Sequence, residues 1–264
     1  HHTRRKSYGT VYYPLAFLVL VLLFWRQAKS VVILSVLILA LADAAAAVVG
    51  ENVKSPHTYN LGQDRKSIEG SAVMFLTSLL IVSFLLPVVD RLDGLAMTPP
   101  AALWVGVVTA VVATALEGLS SGGSDNLTAP LGAALVLAYM LFGSVSAGFQ
   151  LTLGLALGLI VAILAYSFRM LTLSGAVGTM LLAGLIFGVG GWMWTVPILV
   201  FFVGSSLLSK TGREKKARFQ MMYEKSDRRD IGQVLANGGA AGLILILSVT
   251  FPGPAWYMFF LTAL

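Results

Sequence analysis

The sequence predicts an all-α protein, a polytopic transmembrane helical bundle, and three observations support this fold class. Only 11% of the 264 residues are charged and 57% are apolar, whereas a soluble domain carries about 25% charged residues. Apolar runs recur between short polar segments, and each approaches the roughly 20 residues that a helix needs to cross a hydrocarbon core of about 30 Å. The runs are also uninterrupted, which favours helices over the strands of a closed barrel.

About nine spans are predicted, followed by a truncated one. Hydropathy places them near residues 11–27, 30–50, 70–89, 101–119, 129–147, 151–168, 171–190, 194–209 and 233–251, and from about 254 onward. The run around Gly143 to Gly148 is too long for one span and is divided where small residues interrupt it. We expect two membrane modules, residues 1–150 and 151–264, the second of them truncated at its C-terminal end, with His1 and His2 as a tag remnant.

This series of spans distributes the positive charges very unequally between the two sides of the membrane. One side receives Arg26, Lys29 and Arg91. The other side receives fifteen cations: Arg4, Arg5, Lys6, Lys54, Arg65, Lys66, Arg169 and the eight Lys and Arg residues from Lys210 to Arg229. The positive-inside rule assigns the richer side to the cytoplasm.

The formal net charge of +6 is therefore explained by topology. No basic motif interleaved with aromatic residues indicates nucleic acid, so none is expected as a partner. The chain has no cysteine, which excludes a disulfide framework, an iron–sulfur cluster and a thiol nucleophile. The expected surroundings are the lipid bilayer, with the chemistry on the cytoplasmic side.

Asp43 is an acid in an unfavourable place, about two helical turns inside the cytoplasmic end of the second span. A carboxylate there costs roughly 2.5–3.5 kcal/mol on insertion scales, so it needs a partner, a metal or a polar cavity. Asp43, Ala47 and Gly50 share one helical stripe that also permits close backbone approach. A functional role is favoured over a helix-packing hydrogen bond.

The segment from Arg65 to Ser71 begins the third span and predicts a phosphate site. Cations followed by Ser and Gly at a helix N-terminus suit an anion, because free N–H groups and the helix dipole both favour negative charge. The residues expected to bind phosphate are Arg65, Lys66, Ser67 and Gly70. Alternatively, the cations are membrane anchors, and Glu69 is a first-turn acid that complements the dipole.

Glu117 lies at the cytoplasmic end of the fourth span and precedes a Ser/Gly-rich loop that contains Asp125 and Asn126. Asp125 or Asn126 could instead cap the next helix before Pro130. With Asp43 and Glu69, these acids lie at one membrane face, where carboxylates, cations and N–H groups suit Mg²⁺ and a nucleoside triphosphate. A coupled carrier would place its acids near the midplane, and the opposite face is nearly featureless.

A second cluster of polar residues is predicted near the start of the ninth span. Gln233 and Asn237 are four residues apart and share a helical face. They follow Arg228, Arg229 and Asp230, and guanidinium groups match phosphate oxygens. The five residues are expected to bind phosphate or pyrophosphate. The alternative is a positive-inside loop with a polar helix cap.

Four motifs, in this order, resemble the CTP-dependent polyprenol kinase family, which phosphorylates phytol, farnesol or dolichol. They are the segments Arg5–Pro14, Asp43–Gly50, Lys66–Ser71 and Glu117–Asn126, so the likeness covers about residues 4–150. The resemblance implies phosphoryl transfer from CTP to a prenol with Mg²⁺. The catalytic residues implied are Asp43, Glu69 and Glu117. Asp43, Glu117 and Asp125 would hold the metal, while Lys66, the Gly70 N-terminus and Asn126 would lie near the nucleotide.

The remainder resembles the DUF92 membrane proteins, which include the plant phytyl-phosphate kinase and the transmembrane protein 19 group. The motifs are Leu173–Ala176, Gly190–Trp194, Phe201–Ser206, Lys210–Thr211 and Arg228–Gly239. This likeness implies a second step, from prenyl monophosphate to diphosphate. Two other functions stay open: a cytidylyltransferase that acts on a lipid phosphate, and a transporter or flippase of phosphorylated lipids.

Overall fold

The computed structural model describes residues 8–61, 64–210 and 228–264. The predictions for Arg4, Arg5 and Lys6, and for the basic loop after Lys210, lie outside these ranges. The chain divides into two compact units, residues 1–145 and 146–264.

The first unit consists of six α-helices, a small hairpin and two short segments of other helix types in the described residues. The helices are α1 (Gly9–Phe24), α2 (Lys29–Leu37), α3 (Ala44–Asn52), α4 (Ile68–Val89), α5 (Pro99–Leu119) and α6 (Asp125–Phe142). A π-helix, Ile38–Asp43, joins α2 to α3, and a 3₁₀ turn, Asp90–Asp93, follows α4. Strands β1 (Thr58–Asn60) and β2 (Arg65–Ser67) pair antiparallel, with Tyr59 opposite Lys66.

Helices α2 and α3 form one continuous span through the π-helix, Lys29–Asn52, of 24 residues. It contacts α4 and α6, and α4 packs along α5. The interior is filled by fully buried aliphatic side chains, among them Leu34, Ile38 and Met74. Large apolar side chains such as Phe84, 71% exposed, point away from this interior, as expected for helices whose solvent is lipid.

Five helix termini of the first unit meet at one end of its bundle. These are the starts of α1, α4 and α6 and the ends of α3 and α5, and the β1–β2 hairpin lies among them. Backbone hydrogen bonds tie the glycine-rich turn before α6 to its neighbours: Tyr8 N–H donates to Gly122 O at 2.9 Å. Gly122 N–H donates to Asp64 Oδ2 at 2.7 Å. We call this the hairpin end.

The other end of the first unit is held by two aspartates of the 3₁₀ turn. Asp93 accepts hydrogen bonds from Lys29 N–H at 2.7 Å and Ser30 N–H at 2.8 Å, which satisfies free donors at the start of α2. Asp90 is fully buried, and its Oδ2 accepts from Met97 N–H at 2.6 Å. The expectation that this side is nearly featureless was therefore wrong, although both acids have the structural role of ordering helix ends.

The second unit contains four helices in the described residues: α7 (Val145–Ser167), α8 (Leu173–Lys210), α9 (Ile231–Thr250) and α10 (Trp256–Thr262). Glycines let α7 and α8 approach closely: a Cβ atom on Gly154 would lie 2.8 Å from Gly184 O, and one on Gly158 would lie 2.7 Å from Met180 O. Small residues at such contacts are typical of membrane helix pairs.

Helix α8 is interrupted at Gly191, where φ is 66° and ψ is −161°. Only glycine adopts these angles readily, so the chain changes direction between two arms, residues 173–190 and 192–210. This break separates the two spans that hydropathy predicts near 171–190 and 194–209. The sequence shows a run of small residues here, Gly188 to Gly191, but the angle itself is visible only in the structure.

The predicted fold class is confirmed, and the protein is a multi-pass membrane protein. In the described ranges, seven helices are long and apolar enough to cross a membrane when Leu173–Ser205 is counted as one, and α1 is a shorter apolar helix. Most predicted boundaries differ from the observed ones by a few residues. The largest differences lie around Gly143, where α6 ends and α7 begins earlier than hydropathy indicates.

Candidate functional site

Three carboxylates from different helices converge at the hairpin end of the first unit. Asp43 ends the π-helix, Glu117 lies in the last turn of α5, and Asp125 is the first residue of α6. One oxygen of each carboxylate lies within 4.8 Å of one oxygen of the others. We call these three residues the carboxylate cluster. It unites acids that are separated by up to 82 positions in the sequence, as predicted from their common membrane face.

The π-helix explains how Asp43 reaches this cluster. A π-helix adds one residue to a turn, so the side chains that follow it are rotated relative to a regular α-helix. Asp43 is the last residue of the π-helical segment Ile38–Asp43, immediately before α3. Such segments occur frequently at functional sites. Sequence periodicity did not predict this irregularity, because Ile38 to Asp43 contains only good helix formers apart from the acid itself.

Lys66 provides the positive charge of the cluster. From strand β2, its Nζ donates to Glu117 Oε1 at 2.5 Å and to Asp125 Oδ2 at 2.9 Å. Burial alone would lower the pKa of the Lys66 ammonium, but the charges and hydrogen bonds of Glu117 and Asp125 outweigh it and raise the pKa above the usual range. Lys66 is therefore cationic at neutral pH, and it connects the hairpin to α5 and α6.

Glu117 has an oxygen that no described residue satisfies. The residue is only 6% exposed, Oε1 binds Lys66, and Oε2 is buried without a hydrogen-bond partner in the described part of the chain. An unpaired buried carboxylate oxygen is costly unless a cation or donor reaches it. Hard oxygen ligands are those that Mg²⁺ prefers. The donor set of Asp43, Glu117 and Asp125 therefore fits a divalent cation.

A cavity of about 620 Å³ opens beside the carboxylate cluster. It is lined by the ends of α3 and α5, the starts of α4 and α6, and the hairpin. Among the residues predicted to bind the nucleotide, Arg65, Lys66, Ser67 and Gly70 all line it, together with the three carboxylates. The cavity therefore brings a polar wall with cations next to the candidate metal ligands.

The start of α4 lies very close to α3 beside this cavity. A Cβ atom on Gly70 would lie 2.9 Å from Ser67 Oγ and 3.1 Å from Ala46 O, so only glycine fits without a shift. Gly70 N–H donates to Ser67 Oγ at 3.1 Å, and Ile68 N–H donates to His57 O at 2.9 Å. Two donors of the predicted helix N-terminal phosphate site are thus already satisfied. Its remaining positive character comes chiefly from Arg65 and Lys66.

Two residues predicted for the first site, Glu69 and Asn126, do not line the cavity. Glu69 accepts from His57 Nδ1 at 2.8 Å and from His57 N–H at 3.1 Å, and it does not line the cavity. It orders the loop before the hairpin from the first turn of α4. Asn126 also does not line the cavity; its N–H and Nδ2 contact Asp125 Oδ1 at 3.1 and 3.2 Å. Asn126 therefore orients an acid of the cluster.

Sequence reasoning missed several residues of the cavity. Glu51, Thr58, Asp64 and Ser71 line it, and Tyr59 supports it through a hydrogen bond of 2.5 Å between its hydroxyl and Ser71 Oγ. Burial raises the pKa of the Tyr59 phenol above its usual range, so the hydroxyl stays protonated at neutral pH. The sequence did contain a signal for these residues. The polar loop between α3 and α4 is short, and a loop of this length favours a hairpin that keeps its side chains near the ends of both helices.

The second unit contains a separate cavity of about 290 Å³ between α7, α8 and α9. Its walls are mainly glycine and apolar residues such as Leu182, Phe187 and Trp192. Arg229 and Asn237, both predicted to bind phosphate, also line it. The guanidinium carbon of Arg229 lies 5.3 Å from the ring centre of Phe202, and no carboxylate within the described residues forms an ion pair with it.

The backbone of Arg229 is held firmly in place. Its N–H donates to Met170 O, and its carbonyl accepts from Thr172 N–H, both at 3.0 Å. A Cβ atom on Gly175 would lie 2.2 Å from Arg229 O, so the start of α8 must be glycine at this contact. Gly175 thus allows the close backbone contact that positions Arg229, a lining residue of the apolar cavity.

The other members of the predicted second cluster have different positions. Asp230 is the N-cap of α9, and its Oδ1 accepts from Gln233 N–H at 2.9 Å. This contact corresponds to the alternative of a polar helix cap. Gln233 and Arg228 do not line the cavity, whereas Asn237 does. The structure therefore brings together Arg229 and Asn237 and leaves the other three beside them.

Comparison with known proteins gives two kinds of relative. Residues 156–264 match the family described as integral membrane protein DUF92. The chain is also 35% identical to a phytol kinase of Synechocystis sp. over 133 residues, which cover 50% of this chain and 54% of that protein. Both resemblances inferred from the sequence, to prenol kinases and to DUF92, are confirmed.

Two further relatives extend this result. A probable chloroplastic phytol kinase of Triticum aestivum is 30% identical over 141 residues, or 52% of this chain and 45% of the relative. Protein PGR of Arabidopsis thaliana is 31% identical over 105 residues, or 40% of this chain and 36% of the relative. The chain thus spans about half or less of the curated relatives that it matches. No solved structure matches it significantly.

Proposed function

We propose that this protein is an integral membrane lipid kinase that transfers a phosphoryl group from CTP to a prenol such as phytol, farnesol or dolichol. The observation that carries the proposal is the carboxylate cluster with Lys66 beside a polar cavity, at the membrane end of a helical bundle. The similarity to phytol kinases supports the same reaction class. CTP is the proposed donor because the motifs resemble those of CTP-dependent kinases.

In this proposal Asp43, Glu117 and Asp125 would hold Mg²⁺, and the unpaired Glu117 Oε2 would be one of the ligand atoms. The ion would neutralise charge on the donor phosphates. Asn126 keeps the Asp125 carboxylate oriented through the contacts to Oδ1. Arg65 and Ser67 line the cavity and are placed to bind phosphate oxygens.

The prenol enters laterally from lipid, and its hydroxyl reaches the cavity at the hairpin end. The hydroxyl oxygen forms a bond to the γ-phosphorus while the bond from that phosphorus to the β-phosphate oxygen breaks. The hydroxyl proton passes to a carboxylate of the cluster, and the nucleoside diphosphate leaves. Positioning and charge neutralisation supply most of the catalysis in such transfers, so no covalent nucleophile is required.

The proposed location of this reaction is the cytoplasmic face. The unequal distribution of Lys and Arg among the loops favours that orientation. A cysteine introduced at Lys54 tests this orientation. Its labelling by a membrane-impermeant thiol reagent is measured in sealed vesicles of known orientation. Labelling only from the lumenal side would overturn this assignment.

Two labels of CTP distinguish the kinase from the nearest rival, a cytidylyltransferase. The purified protein in nanodiscs is incubated with prenols, or with a prenyl phosphate, and CTP labelled at the α- or the γ-phosphorus. We expect the γ-label in the lipid fraction and CDP in solution. Transfer of the α-label with release of pyrophosphate would instead establish the cytidylyltransferase. Flux of phosphorylated lipid across sealed liposomes that contain the protein, without any transfer, would favour a transporter or flippase.

A second step, from prenyl monophosphate to diphosphate, is proposed for the DUF92 segment. The apolar cavity with Arg229 and Asn237 among its lining residues supports it, since such a cavity suits an apolar chain that ends in a phosphate. Supplying a prenyl monophosphate in place of the prenol tests this step directly. Formation of the diphosphate is expected, and its absence would restrict the protein to the first transfer.

A further inference from the structure

Lys66 and a divalent cation would share two of the same carboxylates. The ammonium binds Glu117 Oε1 and Asp125 Oδ2, and these two residues with Asp43 are the candidate metal ligands. One further oxygen, Asp125 Oδ1, already accepts from Asn126. Glu117 Oε2 is buried and has no hydrogen-bond partner in the part of the chain that the structure describes.

An ammonium and a divalent ion held by the same carboxylates repel each other strongly, because the site is largely shielded from water. The Lys66 side chain is only 17% exposed and that of Glu117 only 8%. A cation that binds all three acids must therefore weaken at least one contact of Lys66. The four-carbon stem of lysine lets its ammonium move several ångströms without a change in the backbone.

The cavity offers Lys66 a second position. Lys66 lines it together with Arg65 and Ser67, on the side where donor phosphates are proposed to bind. The strand pairing of Lys66 with Tyr59 fixes its backbone, so only the side chain has to turn.

We infer that Lys66 is an exchangeable counter-ion: it binds Glu117 and Asp125 until a divalent cation binds these carboxylates, and it then turns to the phosphates of the nucleotide. This inference rests on the proposed function, because it assigns the metal and the nucleotide to the same cavity. It makes metal binding alone weak and metal binding with nucleotide strong. Lys66 is thus a residue that couples the two ligands.

A purely structural role of Lys66 leads to a different expectation. If Lys66 only held the three acids together, its removal would scatter them and would weaken both metal and nucleotide binding. An exchangeable counter-ion instead opposes the metal and assists the nucleotide. Removal of Lys66 therefore strengthens metal binding and weakens nucleotide binding. Opposite changes in the two affinities distinguish this role from a structural one.

Direct binding measurements on the full chain in nanodiscs test this inference. Mn²⁺ binding is followed by the paramagnetic resonance signal of the free ion, first alone, and CTP binding is then measured at saturating Mn²⁺. The variants are Lys66→Met, Lys66→Arg, which keeps the charge, and Lys54→Met, an exposed lysine of the same loop that does not line the cavity. Thermal melting confirms that each variant is folded.

We expect Lys66→Met to bind Mn²⁺ about tenfold more tightly than wild type and CTP about tenfold more weakly. The gain for Mn²⁺ should disappear in the double variant K66M/E117Q. Lys66→Arg and Lys54→Met should bind Mn²⁺ as wild type does. Equal or weaker Mn²⁺ binding by folded Lys66→Met overturns the inference, as does the absence of Mn²⁺ binding in every variant.

The exchange of Lys66 and the proposed kinase reaction can be tested independently of each other. Opposite shifts in Mn²⁺ and CTP affinity without any labelled lipid would support the exchange and defeat the prenol kinase. Labelled prenyl phosphate with unchanged affinities in Lys66→Met would support the kinase and defeat the exchange.

Discussion

At the scale of single residues, the side chain of Glu117 carries most of the argument for a metal site. Most buried polar groups in proteins have a hydrogen-bond partner, but Glu117 Oε2 has none among the described residues. Lys66 binds Oε1 of this carboxylate and leaves Oε2 available to a cation. Glu117 is therefore the residue whose change should affect the site most specifically.

The change Glu117→Gln tests this directly. The amide keeps the size of the side chain but cannot hold Mg²⁺ as a charged ligand, so we expect the transfer rate to fall by about 10²-fold or more. Initial rates with γ-labelled CTP and a prenol measure it. Binding of Mn²⁺ by the same variant should weaken in parallel. A variant that retains the wild-type rate would remove Glu117 from the site.

Glu69 provides the contrasting case. Its partners are the ring and backbone N–H of His57, and it lies outside the cavity. We expect Glu69→Gln to keep a transfer rate within about threefold of wild type, because Glu69 is only partly buried and lies away from the site, where substitutions usually have small effects. The same labelled assay measures the rate. A loss as large as that of Glu117→Gln would restore the catalytic role that the sequence predicts for Glu69.

At the scale of elements, irregular helix geometry places the side chains of both units. The π-helix Ile38–Asp43 rotates Asp43 toward the acids of α5 and α6. Gly191 redirects α8 through a backbone conformation with positive φ. In membranes, such departures from regular helix are tolerated where neighbouring protein surrounds them, so both mark positions at which packing overrides local preference.

The break in α8 requires glycine at position 191, and this requirement can be measured as a difference in stability. We expect Gly191→Ala to lower the stability by about 1–3 kcal/mol, since alanine is strained at φ 66° and ψ −161°. Gly204→Ala in the same helix is the matched control, because a Cβ atom there meets nothing within 4 Å. Thermal melting in detergent compares them. Equal melting temperatures for the two variants would mean that α8 does not need the break.

At the scale of the whole molecule, each unit has its own cavity of different chemical character. The cavity of the first unit is polar and contains acids and cations, whereas that of the second is largely apolar, with Arg229 and Asn237 among its lining residues. The difference agrees with two proposed tasks, transfer to an alcohol and recognition of a chain that already carries phosphate. Ligand binding can therefore be tested separately in each unit.

A brominated alkyl phosphate tests the second cavity. Because Trp192 lines it, binding should quench tryptophan fluorescence, and this quenching should be lost in Trp192→Phe. We expect Arg229→Gln to weaken binding about tenfold or more, as the loss of a charged hydrogen bond to phosphate implies. Arg169→Gln, an exposed arginine of the same unit outside the cavity, serves as control. Quenching that persists in Trp192→Phe would place the ligand elsewhere.

The sequence by itself determined that most of this protein lies in lipid, that it is helical, and where its spans approximately lie. These follow from composition and from the length of apolar runs, which are local properties. It also indicated the acids of the first site, because a charged residue near the end of an apolar run is costly wherever the chain folds. The membrane face shared by Asp43, Glu117 and Asp125 could be predicted from the order of the spans alone.

Only the tertiary structure decided which side chains meet. Lys66 and Glu117 are 51 positions apart, and their contact depends on how the hairpin lies against α5. The same packing directs Glu69 to His57, selects Arg229 and Asn237 from five candidates, and leaves Glu117 Oε2 without a partner. Hydropathy and spacing describe a single segment of the chain. The pairing of charges depends on the distances between segments after they have packed. The structure brings three of the four predicted acids together, Asp43, Glu117 and Asp125, and adds contacts that spacing could not predict.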